Sequence, residues 1–156
     1  MSNKKVRSAK TLAGPGIDLD FTGARTTYDF LQDNSFVRGL MGPVGSGKSY
    51  ACAAEIMMRA VRQKPSPHDN VRYTRFVIVR NSYPELKTTT IKTWQEIFPE
   101  NTFGPMLYTP PITHHIRLPK RGDACGIDCE VIFLALDQPK DVRKLVSKVE
   151  NCIIQT

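Results

Sequence analysis

The stretch GPVGSGKS, residues 42 to 49, decides which fold the sequence predicts. It fits the pattern G-x-x-x-x-G-K-[ST], a glycine-rich loop whose backbone N–H groups hold phosphate groups. Its members are Gly42, Pro43, Val44, Gly45, Ser46, Gly47, Lys48 and Ser49. The pattern is specific where a strand precedes it and a helix follows it, so the flanking segments decide how it is interpreted.

Both flanks have the required character. Ser35 to Met41 (SFVRGLM) is a short, mostly apolar run between turn-forming residues, which predicts a buried strand. Lys48 to Gln63 predicts an amphipathic helix, since its apolar residues recur at the i, i+3, i+4 spacing. These residues are Ala53, Ile56, Met57, Ala60 and Val61.

The alternation of strands and helices continues beyond this helix. Arg75 to Arg80 (RFVIVR) predicts a second buried strand, and Pro84 to Phe98 predicts a helix with proline in its first turn. This order predicts an α/β fold with a mainly parallel sheet flanked by helices.

The last third of the chain predicts a hairpin and one more helix. Ile112 to Leu118 (ITHHIRL) and Cys129 to Leu136 (CEVIFLAL) are strand-like and could pair across a turn at Lys120 to Asp123. Lys140 to Val146 predicts a short helix, after which ten residues remain.

Length and composition indicate one domain with an ordinary core. The chain has 156 residues, 40% of them hydrophobic, with 22 Lys and Arg against 15 Asp and Glu. We interpret residues 1–26 as a basic, mostly irregular tail and residues 27–156 as the folded domain. No apolar stretch suits a membrane helix or secretory signal, so we expect a cytoplasmic protein whose four cysteines are free thiols.

The glycine-rich loop predicts binding of the triphosphate of ATP or GTP with Mg²⁺. Backbone N–H groups and the positive end of a helix dipole can neutralise a triphosphate without bulky side chains. Lys48 would reach the β- and γ-phosphates, and the Ser49 hydroxyl would bind the Mg²⁺ that bridges them. The alternative is an ordinary glycine-rich turn.

Hydrolysis would need acids beyond the loop. Asp137 follows the apolar run from Val131 to Leu136, as a metal-binding aspartate does, but Gln138 stands where a catalytic Glu often follows. The competing interpretation is that Asp137 caps the predicted Lys140 helix or starts a turn with Pro139.

A zinc site is a weaker interpretation of four other residues. His114, His115, Cys125 and Cys129 have suitable donor atoms, but their spacing fits no common pattern of two close pairs. Neighbouring histidines on a strand also point to opposite faces. Ordinary strand and loop positions are therefore the favoured interpretation.

Three stretches together resemble the ATPase domain of the large terminase subunit of tailed bacteriophages. They are GPVGSGKS at residues 42–49, VIVRNSYPELKTTTIKTW at 77–94 and CEVIFLALDQPKDVRKL at 129–145. Many NTPases share the first, whereas the second and third resemble one branch of terminases. The resemblance spans about two-thirds of the chain.

This resemblance implies a P-loop NTPase fold of the helicase-like class and a role in packaging DNA. The implied ligand is ATP with Mg²⁺, and the implied partners are double-stranded DNA, the portal, the small terminase subunit and further copies of the chain in a ring. Arg80 resembles the element that couples nucleotide state to DNA movement, although an exposed basic strand end is the alternative. Arg143 resembles an arginine that can approach the γ-phosphate, and a solvated helix face is the alternative for it. Gln32 is a weak candidate for contacting adenine.

The sequence departs from the terminase pattern near its end. In that family a further apolar strand ends in an acidic pair, followed by a coupling motif and a nuclease domain. Cys152 to Ile154 is too short and lacks a following acid. We therefore expect the front part of a terminase large subunit, incomplete at its C-terminus, without a nuclease domain, and with an exposed sheet edge.

Two other functions stay open on the sequence alone. One is a small stand-alone NTPase or kinase that uses Asp137 as its metal acid. The other is a nucleotide-binding assembly fragment that never hydrolyses ATP. Whether the chain is an active ATPase by itself is left undecided.

Overall fold

A computed structural model describes residues 12–14, 17–19, 24–35, 37–43, 45–122, 124–137 and 151–154. Two three-residue strands, β1 (Leu12–Gly14) and β2 (Ile17–Leu19), form an antiparallel pair. They occur within the segment for which we predicted a mostly irregular tail. The first helix, α1, covers Arg25–Gln32.

The predicted strand from Ser35 to Met41 is wrong. In the described part of this segment no strand is present, and the side chains of Val37 and Met41 are 81% and 94% exposed. Among the described residues no strand pairs with this run, and Arg38 and Gly39 interrupt its apolar character. The segment is instead an extended lead-in to the glycine-rich loop.

The helices agree closely with the predicted ones. Helix α2 covers Lys48–Arg62 and ends one residue before the predicted Gln63. The predicted helix from Pro84 to Phe98 consists of α3 (Tyr83–Glu85), a π-helical segment (Leu86–Thr90) and α4 (Ile91–Ile97). A short helix, α5 (Glu100–Phe103), follows.

A five-stranded sheet forms the centre of the molecule. Its strands are β3 (Val71–Arg80), β4 (Met106–Leu107), β5 (Ile112–Leu118), β6 (Gly126–Ala135) and β7 (Asn151–Ile154), in the order β4-β5-β6-β3-β7. The pairings of β3 with β6 and β7 are parallel, whereas those of β5 with β6 and β4 are antiparallel. The α/β class is confirmed, and the sheet is mixed rather than mainly parallel.

Two strand predictions change at their ends. Strand β3 begins four residues before the predicted Arg75, and β6 begins three residues before Cys129. The pairing of β5 and β6 confirms the predicted hairpin. Cys152 to Ile154, which we expected to be too short, lies in β7 and pairs with β3. The predicted Lys140 to Val146 helix lies outside the described residues.

Helix α2 and the α3–α4 unit cover one face of the sheet. Phe76 and Ile78 of β3 and Phe133 of β6 pack there against Ile56 of α2 and Trp94 of α4. Val77 and Val79 of β3 are buried on the opposite face with Ile132 and Leu134. Among the described residues no helix is long and apolar enough to cross a bilayer.

Candidate phosphate-binding site

The glycine-rich loop has a backbone that requires glycine at two positions. Gly45 and Gly47 have φ angles of +80° and +79°, in the left-handed region that other residues rarely adopt. Between them the Ser46 N–H donates to the Pro43 carbonyl at 3.3 Å. The loop therefore folds as a compact turn that ends at Gly47, the residue before helix α2.

Gly42 lies close to the side chain of Ser46. A Cβ atom at this position would lie 2.8 Å from Ser46 Oγ. The start and the middle of the loop are therefore in contact, and a side chain at residue 42 would require the Ser46 hydroxyl to move. This contact holds the two parts of the loop together.

The Lys48 ammonium group is folded back over the loop. Its Nζ donates to the carbonyl oxygens of Gly42 and Pro43, both at 2.7 Å, and to Ser46 Oγ at 3.2 Å. These acceptors are neutral, so a phosphate oxygen would compete with them for the ammonium group. Lys48 thus places its charge beside the loop.

The first turn of helix α2 is open to solvent. Gly45, Ser46, Gly47 and Ser49 are exposed, the first turn carries no acid, and no described side chain caps it. Four backbone N–H groups at a helix start lack partners within the helix, and the helix dipole adds positive potential there. The loop and helix therefore offer the features expected of a phosphate site. Val44 lies outside the described residues.

The loop lies toward the carboxyl end of strand β3. Ser49 borders a narrow crevice with Ile78, near the end of β3, whereas Arg62 at the other end of α2 shares a pocket with Thr74. Helix α2 consequently runs in the opposite direction to β3. Ligands of open α/β sheets bind at the carboxyl ends of parallel strands, which is the edge this arrangement brings to the loop.

A buried ion cluster, which sequence reasoning missed, fixes the lead-in to helix α2. Glu55, only 3% exposed, accepts from Arg38 Nη2 and Arg59 Nε through its Oε1 atom. Arg38 Nη1 also donates to the carbonyls of Phe30, at 2.9 Å, and Asp33, at 2.7 Å. The cluster therefore ties α1, the lead-in and α2 together in place of the predicted strand pairing.

Asp137 lies at the carboxyl edge of the sheet, where its carboxylate accepts a backbone hydrogen bond. Its Oδ1 and Oδ2 atoms accept from the Tyr83 N–H at 3.3 and 3.1 Å. Asp137 therefore caps α3 together with Ser82, whose Oγ atom accepts from the Glu85 N–H at 3.4 Å. Pro139 and the predicted Lys140 helix, the other candidate contacts for Asp137, lie outside the described residues. Among the described residues, no group of three acidic, histidine or cysteine side chains could hold a metal ion. Gln138 lies outside them.

Arg80 ends β3 next to this cap. Its Nη2 atom is 3.9 Å from Glu85 Oε2, and its Nε atom is buried with no partner in the part of the chain that the structure describes. The Arg80 carbonyl accepts from the Leu136 N–H at 2.9 Å. Arg80 is therefore half-buried at the strand end rather than freely exposed. Arg143 lies outside the described residues.

The four residues weighed as a zinc site have separate surroundings. His114 is fully buried, accepts from Trp94 Nε1 and contacts the Gly104 carbonyl, while His115 pairs with Asp128. Cys125 Sγ donates to Asn70 Oδ1 at 3.1 Å, and burial raises the pKa of the Cys129 thiol to about 11. These contacts agree with the favoured interpretation of strand and loop positions.

The fold and this loop define an α/β protein with a mixed sheet and a glycine-rich loop at the start of a long helix. Comparison of the chain with protein-family models, curated proteins and solved structures finds no match.

Proposed function

We propose that this protein binds ATP with Mg²⁺ through Gly42 to Ser49. The observation that carries the proposal is the position of Lys48, whose ammonium group lies over the glycine-rich loop, next to a helix start that no described side chain caps. A bound triphosphate requires positive charge and backbone N–H donors. The loop brings together Lys48, glycines with positive φ angles and the N–H groups of a helix start.

Each part of the loop would have a distinct task. The N–H groups around Gly45 and Gly47 would donate to phosphate oxygens, and Lys48 would exchange its carbonyl acceptors for phosphate oxygens. The exposed Ser49 hydroxyl would be a ligand of Mg²⁺, which neutralises phosphate charge when bound. Gln32, the exposed last residue of α1, stays a candidate for contacting adenine.

The test is ATP binding with Mg²⁺, measured by calorimetry on the purified protein and on Lys48→Ala. We expect Lys48→Ala to weaken binding by at least about tenfold, since a hydrogen bond to a charged group contributes about 1.5–3 kcal/mol. Lys92→Ala, which removes an exposed lysine of α4, is the matched control and should bind normally. Equal affinity of both variants would reject the proposal.

The finer proposal is that the site serves a bacteriophage DNA-packaging motor. Its support is the resemblance of three stretches to terminase large subunits, which would make duplex DNA, the portal and the small terminase subunit the partners. Arg80 would couple nucleotide state to movement, and Arg143 would approach the γ-phosphate. Release of phosphate that duplex DNA stimulates, and that Lys48→Ala removes, is the result expected.

A second candidate is a module that binds nucleotide without turnover. It is favoured by Asp137, whose carboxylate accepts from the Tyr83 N–H, and by the absence, among the described residues, of a group of three acidic, histidine or cysteine side chains that could hold a metal ion. Binding of ATP without phosphate release, in the presence and absence of DNA, would select this candidate. Turnover that is lost in Asp137→Ala would instead select a stand-alone NTPase or kinase.

A further inference from the structure

A second basic pocket lies at the other end of helix α2 from the glycine-rich loop. It has a volume of about 220 Å³ and is lined by six residues: Asn34, Arg59, Arg62, Gln63, Thr74 and Phe76. Helix α2 has 15 residues, so about 20 Å of helix separates the two sites at ~1.5 Å per residue. The pocket is therefore distinct from the nucleotide site proposed above.

The chemistry of this pocket suits a phosphate group. Arg59 and Arg62 bring two guanidinium groups, and Arg72 donates from Nε to the Gln63 carbonyl at 2.9 Å, which places a third nearby. The acid in contact with them is Glu55, whose charge is shared between Arg38 and Arg59. Positive charge therefore exceeds negative charge around the pocket, and guanidinium groups match phosphate oxygens in geometry.

Two further features prepare the pocket for an anion. The Thr74 hydroxyl oxygen is buried, and its contact is with the thiol of Cys129, the residue opposite it on β6, which is only a weak hydrogen-bonding group. The carbonyls of Arg59 and Gln63, which would repel an anion at a helix end, accept from Gln63 N and Arg72 Nε. A hydroxyl group therefore lies at the pocket, and two of the carbonyls at this end of the helix already accept hydrogen bonds.

We propose that this pocket is a phosphate-binding site, which takes the phosphate of a free phosphomonoester or of a nucleic-acid backbone. Phe76, its aromatic member, is 1% exposed and offers no face on which a base could stack. Recognition is therefore of the phosphate itself and is independent of base sequence. The proposal does not depend on ATP binding at the loop.

The experiment uses the Lys48→Ala protein, so that the loop does not contribute. Inorganic phosphate is titrated by calorimetry and a short labelled duplex DNA by fluorescence anisotropy. Arg62→Gln removes an exposed arginine of the pocket and should weaken binding by at least about tenfold. Arg25→Gln removes the same charge from α1, where the side chain is 93% exposed, and should leave binding unchanged.

Thr74→Val tests the buried hydroxyl and is also expected to weaken phosphate binding, with thermal unfolding recorded for each variant. Loss of both phosphate and duplex binding in Arg62→Gln would identify a backbone phosphate as a ligand. Loss of phosphate binding alone would identify free phosphomonoesters. The proposal is overturned if neither probe binds, or if Arg62→Gln and Thr74→Val bind phosphate as tightly as the parent protein.

Discussion

At residue 42 a side chain would require Ser46 to move, which gives a test of the loop geometry. In Gly42→Ala the new Cβ would meet Ser46 Oγ at 2.8 Å, so Ser46 must leave its rotamer or the loop must widen. Such a displacement costs roughly 1 kcal/mol, so we expect ATP affinity to fall about fivefold. Gly39→Ala is the matched control, because nothing lies within 4 Å of its Cβ, and calorimetry should find its affinity unchanged.

His114 makes the stability of the protein dependent on pH. Trp94 Nε1 donates to His114 Nδ1 at 2.9 Å, so Nε2 carries the proton and donates to the Gly104 carbonyl. Burial lowers the pKa of His114 below its ordinary 6.5, because the charged form is poorly solvated. The unfolded chain thus binds a proton more readily than the folded one. This contribution to stability is complete above about pH 6.5 and is lost as the pH falls below that value.

The measurement is urea unfolding of the protein and of His114→Gln at pH 7.5 and in steps below pH 6.5. We expect the free energy of unfolding of the parent to fall more steeply with acidification than that of His114→Gln. Carboxylates with lowered pKa values, such as Asp69, are common to both proteins and do not affect the comparison. His68→Gln, at an exposed position, should keep the parental slope. Equal slopes for the parent and His114→Gln would reject this role.

At the scale of an element, the unit from α3 to α4 links the carboxyl edge of the sheet to helix α2. Its start is capped by Asp137, and its far end contacts α2, where the Tyr50 hydroxyl donates to Glu96 Oε2 at 3.0 Å. Between them, Thr88 and Thr89 donate to carbonyls one turn earlier, at 2.8 and 2.6 Å, within the π-helical segment. The unit thus extends from the carboxyl edge of the sheet to the first turn of α2.

Asp137 can be tested as a cap rather than as a metal ligand. Asp137→Ala should lower the free energy of unfolding by about 1 kcal/mol, whereas Asp137→Asn, which keeps an acceptor oxygen, should cost only a few tenths. Urea unfolding measures both, and phosphate release with Mg²⁺ and ATP is recorded in parallel. If both variants lose turnover equally and neither is destabilised, Asp137 is a metal ligand instead.

At the scale of the whole molecule, the elements that depend on a local sequence pattern could be predicted, whereas contacts between distant residues could not. The period of α2 and the alternation of Ile112–Leu118 are local, and both elements were predicted to within one residue. The start of β3 was missed because Val71 to Thr74 mixes charged with β-branched residues and lacks a sustained apolar run.

Contacts between distant residues account for the rest. Arg38 and Glu55 are 17 residues apart, and Tyr83 and Asp137 are 54 apart, so nothing local in the sequence pairs them. The apolar run before the loop predicted a strand because its composition suits one. No strand in the described part of the chain pairs with it, and Arg38 within it binds the buried Glu55 instead.

The buried Glu55 leads to a prediction about how the lead-in is held to the rest of the molecule. In Glu55→Gln the buried carboxylate loses its charge, so Arg38 and Arg59 lose an ion pair while the side chain keeps its shape. Breaking a buried ion pair by removing one partner costs about 3–5 kcal/mol. The segment that loses its contact is the lead-in, because Arg38 holds it in place. Hydrogen exchange should therefore accelerate across residues 33–43 while β3 stays protected.

The matched control is Glu130→Gln, because Glu130 pairs with Arg75 on the sheet and is partly exposed. An exposed pair contributes about 0–1 kcal/mol, so this variant should leave exchange in residues 33–43 unchanged. If the lead-in stays protected in Glu55→Gln, other contacts hold it in place. If it loosens and ATP affinity falls with it, the buried cluster positions the glycine-rich loop, a task that a strand next to the loop would otherwise perform.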